Sequence, residues 1–245
     1  MADESMGGPA ATLELADWRR QVADLYAEVR RLSATDVDAA LGLWRATRER
    51  LYREHPQSPV PAAKRPDFRA HHFPADSTMR FEVRVQPDDA GLGGADAAAA
   101  AAVAPPRGLG GFGGAGGLAL ASPIAMQLPV SVGGTMSFSR IGFVDIPFAS
   151  GPRRLGVFWM AGYAGGLFVP FRDATNGTET YGAGRYLLDA AKSADLGGDR
   201  DRGTLVLDFN FAYHPSCAFD PAWACPLAPP ENRLDLPIRA GERLA

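Results

Sequence analysis

The stretch IAMQLPVSVGGTMSFSRIGFVDIPFASGPRRLGVFWMAGYAGGLFVPF, Ile124 to Phe171, decides the fold. It holds four apolar runs rich in aromatic and β-branched residues: Ile124 to Val132, Thr135 to Ile146, Arg154 to Met160 and Gly166 to Phe171. Gly and Pro punctuate their ends, the pattern of strands joined by tight connections. Short strands at close intervals predict antiparallel pairing. No helical period alternates with them, so a doubly wound parallel sheet is disfavoured relative to a sandwich or barrel.

Towards the N-terminus, Arg80 to Val85 alternates charge with hydrophobe and predicts a strand with one face on a core and the other in water. Between this strand and Ile124 lies Asp88 to Gly117, with an alanine run at Ala97 to Ala102, the pair Pro105-Pro106, and then mostly glycine. Few of its side chains could offset the entropy of ordering so much glycine, so it is expected to be a mobile insertion. Further upstream, Leu15, Trp18, Val22, Leu25, Tyr26, Val29 and Leu32 recur at helical spacing and predict an amphipathic helix from Leu13 to Leu32. Thr35 followed by Asp38 resembles a capping box opening a second helix through Leu41, Trp44 and Leu51, which ends by His55-Pro56. Towards the C-terminus a long strand is expected at Thr204 to Tyr213, with Leu205, Leu207, Phe209 and Phe211 on one face, and a tail strand at Leu234 to Arg239. The expected architecture is mainly β (α+β): an antiparallel β-sandwich or barrel-like domain over residues 55–245, preceded by a disordered N-terminus at 1–12 and a two-helix segment at 13–54.

At 245 residues the chain can bury a core without staples, so folding needs no cofactor. A net charge of −3 gives no broad basic field for phosphate backbones or anionic lipid, which argues against nucleic acid as a partner. The first residues carry Asp3 and Glu4 with no early Lys or Arg and no apolar stretch of signal-peptide length. No apolar run reaches membrane-spanning length, because Leu118 to Val132 is broken by Pro123 and Pro129. A cytoplasmic protein without a membrane partner is expected, and in that reducing compartment Cys217 and Cys225 are expected free.

Gly108, Gly110 and Gly113 formally fit a dinucleotide fingerprint, but no strand precedes them and no helix follows, so composition explains them. The polar-rich C-terminal third is more informative. Asn176-Gly177 suits a tight hairpin turn needing positive φ, with Asp173 and Thr175 before it and Glu179 and Tyr181 after it. If the following segment is extended, Glu179 and Tyr181 share a face, near Arg185. Asp208 and Asn210, two apart, would project together from their strand. These groups could converge on a small ligand as carboxylate, phenol, guanidinium and amide, or they could form ion pairs and hydrogen bonds that fix a hairpin and a proline-rich loop. Cys217 and Cys225 with His214 could supply three metal ligands, but no fourth is evident and buried free thiols are common. Cys217 as a nucleophile beside His214 is a further option, with nothing in the sequence to lower its pKa.

The string from Val169-Pro170-Phe171-Arg172-Asp173 through Thr178 to Tyr186, then Leu207 to Asn210, Tyr213, Pro215, Cys217, Cys225-Pro226-Leu227 and Pro229 to Leu234, resembles the family called domain of unknown function 1684. His55-Pro56, Ser58-Pro59 and Phe73-Pro74 resemble its opening pattern. The resemblance covers most of Leu41 to Glu242, with the Gly/Ala insertion departing from it. Members often carry Asn at the position of His214, which counts against a metal or base role there. The resemblance implies no activity and no cofactor. Two functional expectations stand: a small-molecule-binding β domain, whether or not an enzyme, whose pocket draws on Glu179, Tyr181, Arg185, Asp208, Asn210 and Cys217; or a non-catalytic structural or protein-interaction module in which those residues form a hydrogen-bond network.

Overall fold

A computed structural model describes residues 8–87, 124–162 and 165–245. The expected insertion at 88–117 lies outside the described residues. Helix α1 (Pro9–Ser33) begins four residues before the apolar periodicity, because Pro9 sits in the first turn where a missing amide hydrogen costs nothing. The expected disordered N-terminus is thus helical from residue 9. Helix α2 (Val37–Glu54) is capped by Asp36, whose carboxylate accepts the Ala39 amide at 2.9 Å. Asp36 displaces Thr35 in that role, since the Thr35 hydroxyl turns back to donate to Leu32 O.

The rest is mainly β. Five antiparallel strands form a meander in chain order: β3 (Ile124–Pro129), β4 (Thr135–Phe148), β5 (Gly151–Met160), β6 (Gly166–Phe171) and β7 (Arg185–Asp189). A second sheet pairs β2 (Arg80–Arg84) with β9 (Thr204–Asp208) and β9 with β8 (Gly198–Asp199). Two bridges join the sheets into a barrel-like wrap: Gln86 pairs with Phe143 of β4, and Tyr213, beyond β9, pairs with Tyr186 of β7. The first bridge depends on Gly142, which follows a register shift in β4. A Cβ there would lie 2.1 Å from Gln86 O, so only glycine lets the second sheet approach.

The alternation of the strands sorts their side chains into two layers. Leu155 and Val157 of β5, Val169 and Phe171 of β6, and Leu207 of β9 fill the interior. Phe138, Phe158, Phe168 and Tyr186 point outwards, where Tyr26 and Val29 of α1 and Leu41 and Trp44 of α2 cover them. Among the described residues no helix is long and apolar enough to cross a membrane.

Two strand expectations are corrected. The one at Thr204 to Tyr213 stops at Asp208, whose side chain accepts the Asn210 amide at 2.9 Å and opens a 3-10 turn, Phe209–Phe211. Phe209 therefore enters the barrel interior, whereas Phe211 joins the layer under the helices. No strand forms at Leu234 to Arg239. That segment crosses the barrel with Ile238 and Ala240 buried, and pairing resumes only where β10 (Glu242–Arg243) meets β1 (His71–His72).

Candidate functional site

The structure disperses the six residues singled out from the sequence. Arg185, at the start of β7, is fully buried, and both terminal nitrogens of its guanidinium are engaged, while its buried Nε has no hydrogen-bond partner: Nη2 donates to Asp173 Oδ2 at 2.8 Å and Ile238 O at 2.7 Å, and Nη1 to Ala240 O and to Glu242 O at 3.0 Å. Asp173 in turn accepts the Thr175 amide and hydroxyl, folding the loop in which Gly177 adopts φ +82°. The loop is compact and not a two-residue hairpin, so Glu179 and Tyr181 do not share an extended face. Glu179 instead pairs with Arg239 on the surface at 2.9 Å.

Asp208 and Asn210 do come together, through the turn: Asn210 Nδ2 donates to Asp208 Oδ1 at 2.9 Å and to Asp76 O at 2.8 Å. Asp208 also meets Arg80 at 3.1 Å across the β2–β9 ladder. Burial raises its pKa, with the Asn210 and Arg80 contacts opposing. These contacts tie β9 to β2 and to the segment before it. Tyr181 and Cys217 are close enough for each to perturb the other's titration. His214 does not serve Cys217, because its Nε2 accepts the Tyr181 amide at 3.2 Å and its Nδ1 faces Glu242 at 3.9 Å. No group of three His, Cys, Asp or Glu among the described residues could hold a metal ion.

The side chains best placed for a ligand come from the helices. A cleft of about 320 Å³ opens between α1, α2 and the barrel, at the lower end of the range for small-molecule sites. Trp18, Tyr26, Tyr52, Tyr213 and Trp223 give it aromatic walls, and Arg19, Arg48 and Lys192 line it while no Asp or Glu does. Arg48 is held flat between the rings of Tyr52 and Tyr213, its guanidinium carbon 4.4 Å from each centroid. Its Nε and Nη2 donate to the buried Glu242 carboxylate, and Nη2 also reaches His214 O at 3.4 Å. Nη1 has no carboxylate or carbonyl acceptor among the described residues.

Burial opposes the charge on Arg48, yet Glu242 outweighs it and raises the guanidinium pKa overall. Burial pushes the Tyr26 phenol up to about 12 and raises Tyr52 and Tyr213 as well. All three phenols keep their protons at any physiological pH. They can donate hydrogen bonds but not act as bases, so the cleft is equipped to bind and orient.

The same buried groups predict an acid limb of stability. Burial lowers His214 to about 4 and His72 to about 4, against the pull of Glu242 in each case. Glu242 itself stays below its ordinary value because Arg48 outweighs its burial. All three shifts are depressions, so the stability they confer is full above the unfolded pKa and is lost as pH falls. For the histidines the window runs from the ordinary 6.5 to about 4, and His214 contributes on the order of 3 kcal/mol across it. Urea midpoints are expected to fall steadily between pH 7 and 4.5. In His214→Asn, which keeps an acceptor for the Tyr181 amide without a titrating ring, that slope is expected to flatten.

Comparison with known proteins places these elements in context. The family described as "Protein of unknown function (DUF1684)" matches residues 118–243, from the approach to β3 through β10. A solution NMR structure of an uncharacterized protein from Haloarcula marismortui is similar, with 28% identity and a TM-score of 0.53, covering 84% of this chain and 94% of that one. No curated protein matches the chain.

Proposed function

Because the chain belongs to the DUF1684 family, whose description assigns no activity, we propose from its geometry that it binds a small organic anion with a planar apolar body in the cleft between the helices and the barrel. The observation that carries this reading is the acid-free, cation-bearing aromatic lining around Arg48. An aromatic carboxylate would stack on Trp18 or Tyr52 and place its charge towards Arg48 and Lys192. The alternative of a purely structural network is favoured for Arg185, whose two terminal nitrogens are engaged inside the fold, and for Asp208, which is held by Asn210 and Arg80. It does not account for the cleft, whose lining carries three cations and no acid, the carboxylates that pair with Arg48 and Lys192 lying behind the walls. We take the partner to be a small molecule and not nucleic acid or membrane, in keeping with the net charge of −3, and infer a cytoplasmic location.

Trp18 and Trp223 in the walls supply the readout. Saturable quenching of tryptophan fluorescence is expected with aromatic carboxylates, about tenfold weaker with the matching neutral amides. Lys192 is half exposed, 3.5 Å from the buried Asp189. Lys192→Ala is expected to weaken binding about fivefold, while Lys192→Arg, which keeps a cation for both Asp189 and the cleft, is expected to retain it. Equal quenching by acid and amide, or none by either, defeats the reading.

A further inference from the structure

Cys217 and Cys225 lie outside the cleft's binding chemistry. Cys217 sits in a 3-10 turn, Ser216–Ala218, and Cys225 closes the loop that follows. Both are buried, at 4% and 2% exposure. The Cys217 amide donates to Cys225 Sγ at 3.3 Å, which brings the two thiols within electrostatic reach of each other. The Tyr181 phenol and Ser131 lie close enough to the Cys217 thiol to lower its pKa as well. Ser131 is itself fixed, donating to Trp223 O at 2.7 Å and accepting the Cys225 amide at 3.0 Å. A structural pair of buried thiols would need only apolar neighbours. Here the backbone amide of one cysteine donates to the sulfur of the other, and the Ser131 hydroxyl fixes the amide of the second.

We propose that Cys217 and Cys225 are an oxidisable pair that hydrogen peroxide closes into a disulfide. The contact with Cys225 lowers the Cys217 thiol to about 6, with Tyr181 acting in the same direction and burial opposing, whereas Cys225 is raised. Cys217, whose chain neighbours Ser216 and Ala218 each line an opening, takes the part of the nucleophile and Cys225 that of the resolving thiol. The Cys217 thiolate attacks one peroxide oxygen, the O–O bond breaks, and the departing hydroxide takes a proton and leaves as water. The Cys225 sulfur then attacks the sulfenic sulfur, the S–O bond breaks, and the hydroxyl leaves as a second water with the Cys225 proton. The two thiols lose two electrons, and one peroxide becomes two waters.

Access sets the class of oxidant. Ser216 lines the aromatic cleft and Ala218 lines a second hollow of about 530 Å³ beside Phe68 and Phe219. Cys217 is therefore one residue from each opening but lines neither, so the oxidant we infer is one of water's size and not a tripeptide disulfide. The chain has only these two cysteines, so the bond formed within one molecule can only be this one.

The test uses the reduced full-length protein. Stoichiometric hydrogen peroxide is expected to remove both titratable thiols, lower the intact mass by two hydrogens and leave a product that dithiothreitol restores, while glutathione disulfide at the same concentration is expected to react at least tenfold more slowly. In Cys225→Ser, a sulfenate trap is expected to label Cys217. In Cys217→Ser, Cys225 is expected to stay unmodified. Persistence of both thiols in the folded wild-type protein under peroxide, or oxidation of Cys217 to the sulfinate without a disulfide, overturns the proposal. The wild-type measurement needs no variant to fold and no ligand to bind.

Discussion

Arg185→Met is expected to lose about 3–5 kcal/mol of stability, enough to unfold a domain of ordinary stability, with the loss read from urea midpoints or from failure to fold. Two costs act together. The first is Asp173, fully buried and left with an uncompensated charge when its partner at 2.8 Å is removed. The second is the set of carbonyls of Ile238, Ala240 and Glu242, which share the guanidinium as their donor. These costs can be separated. Arg185→Met combined with Asp173→Asn removes the stranded charge but leaves the carbonyls short of donors, so it is expected to recover only part of the loss. Full recovery would show that the guanidinium serves Asp173 alone and not the crossing C-terminal segment.

Arg48→Met is expected to cost a similar ~3–5 kcal/mol, because Glu242 would remain buried with little beyond the His214 amide at 2.7 Å to hold its charge. Glu242→Gln alone strands the Arg48 guanidinium instead. The double variant is expected to be more stable than the sum of the two losses by at least 1 kcal/mol, the signature of a direct pair in a double-mutant cycle. Removing Arg48 also takes the cation from between Tyr52 and Tyr213, so any anion bound in the cleft is expected to be lost even under conditions where the variant stays folded.

The sequence made the two helices and the strands from Ile124 to Phe171 legible because their periodicities are local. It misled where a side chain outcompeted a period: Leu205, Leu207, Phe209 and Phe211 alternate as a strand would, but the Asp208 carboxylate captures the Asn210 amide and ends the ladder. The polar density after Phe171 signalled a region rich in hydrogen bonds, and it is one, with Arg185 and Asn232 holding loops to strands. The cleft was missed because most of its walls lie on α1 and α2, whose aromatic residues fit an ordinary apolar stripe. One sign was available. Arg48 lies four residues after Trp44 and four before Tyr52, a charge set into the buried face of α2. A cation in that position needs a distant acid, and nothing local to α2 indicates that the acid is Glu242.

That separation bears on how the chain comes to be folded. Arg48 and Glu242 stand 194 residues apart, so during synthesis the helices emerge early with a cation that has no counter-charge until nearly the last strand has been made. The helical layer therefore cannot settle on the barrel as an independent early unit. Docking becomes a late step in which α2 and the segment carrying Glu242 commit together.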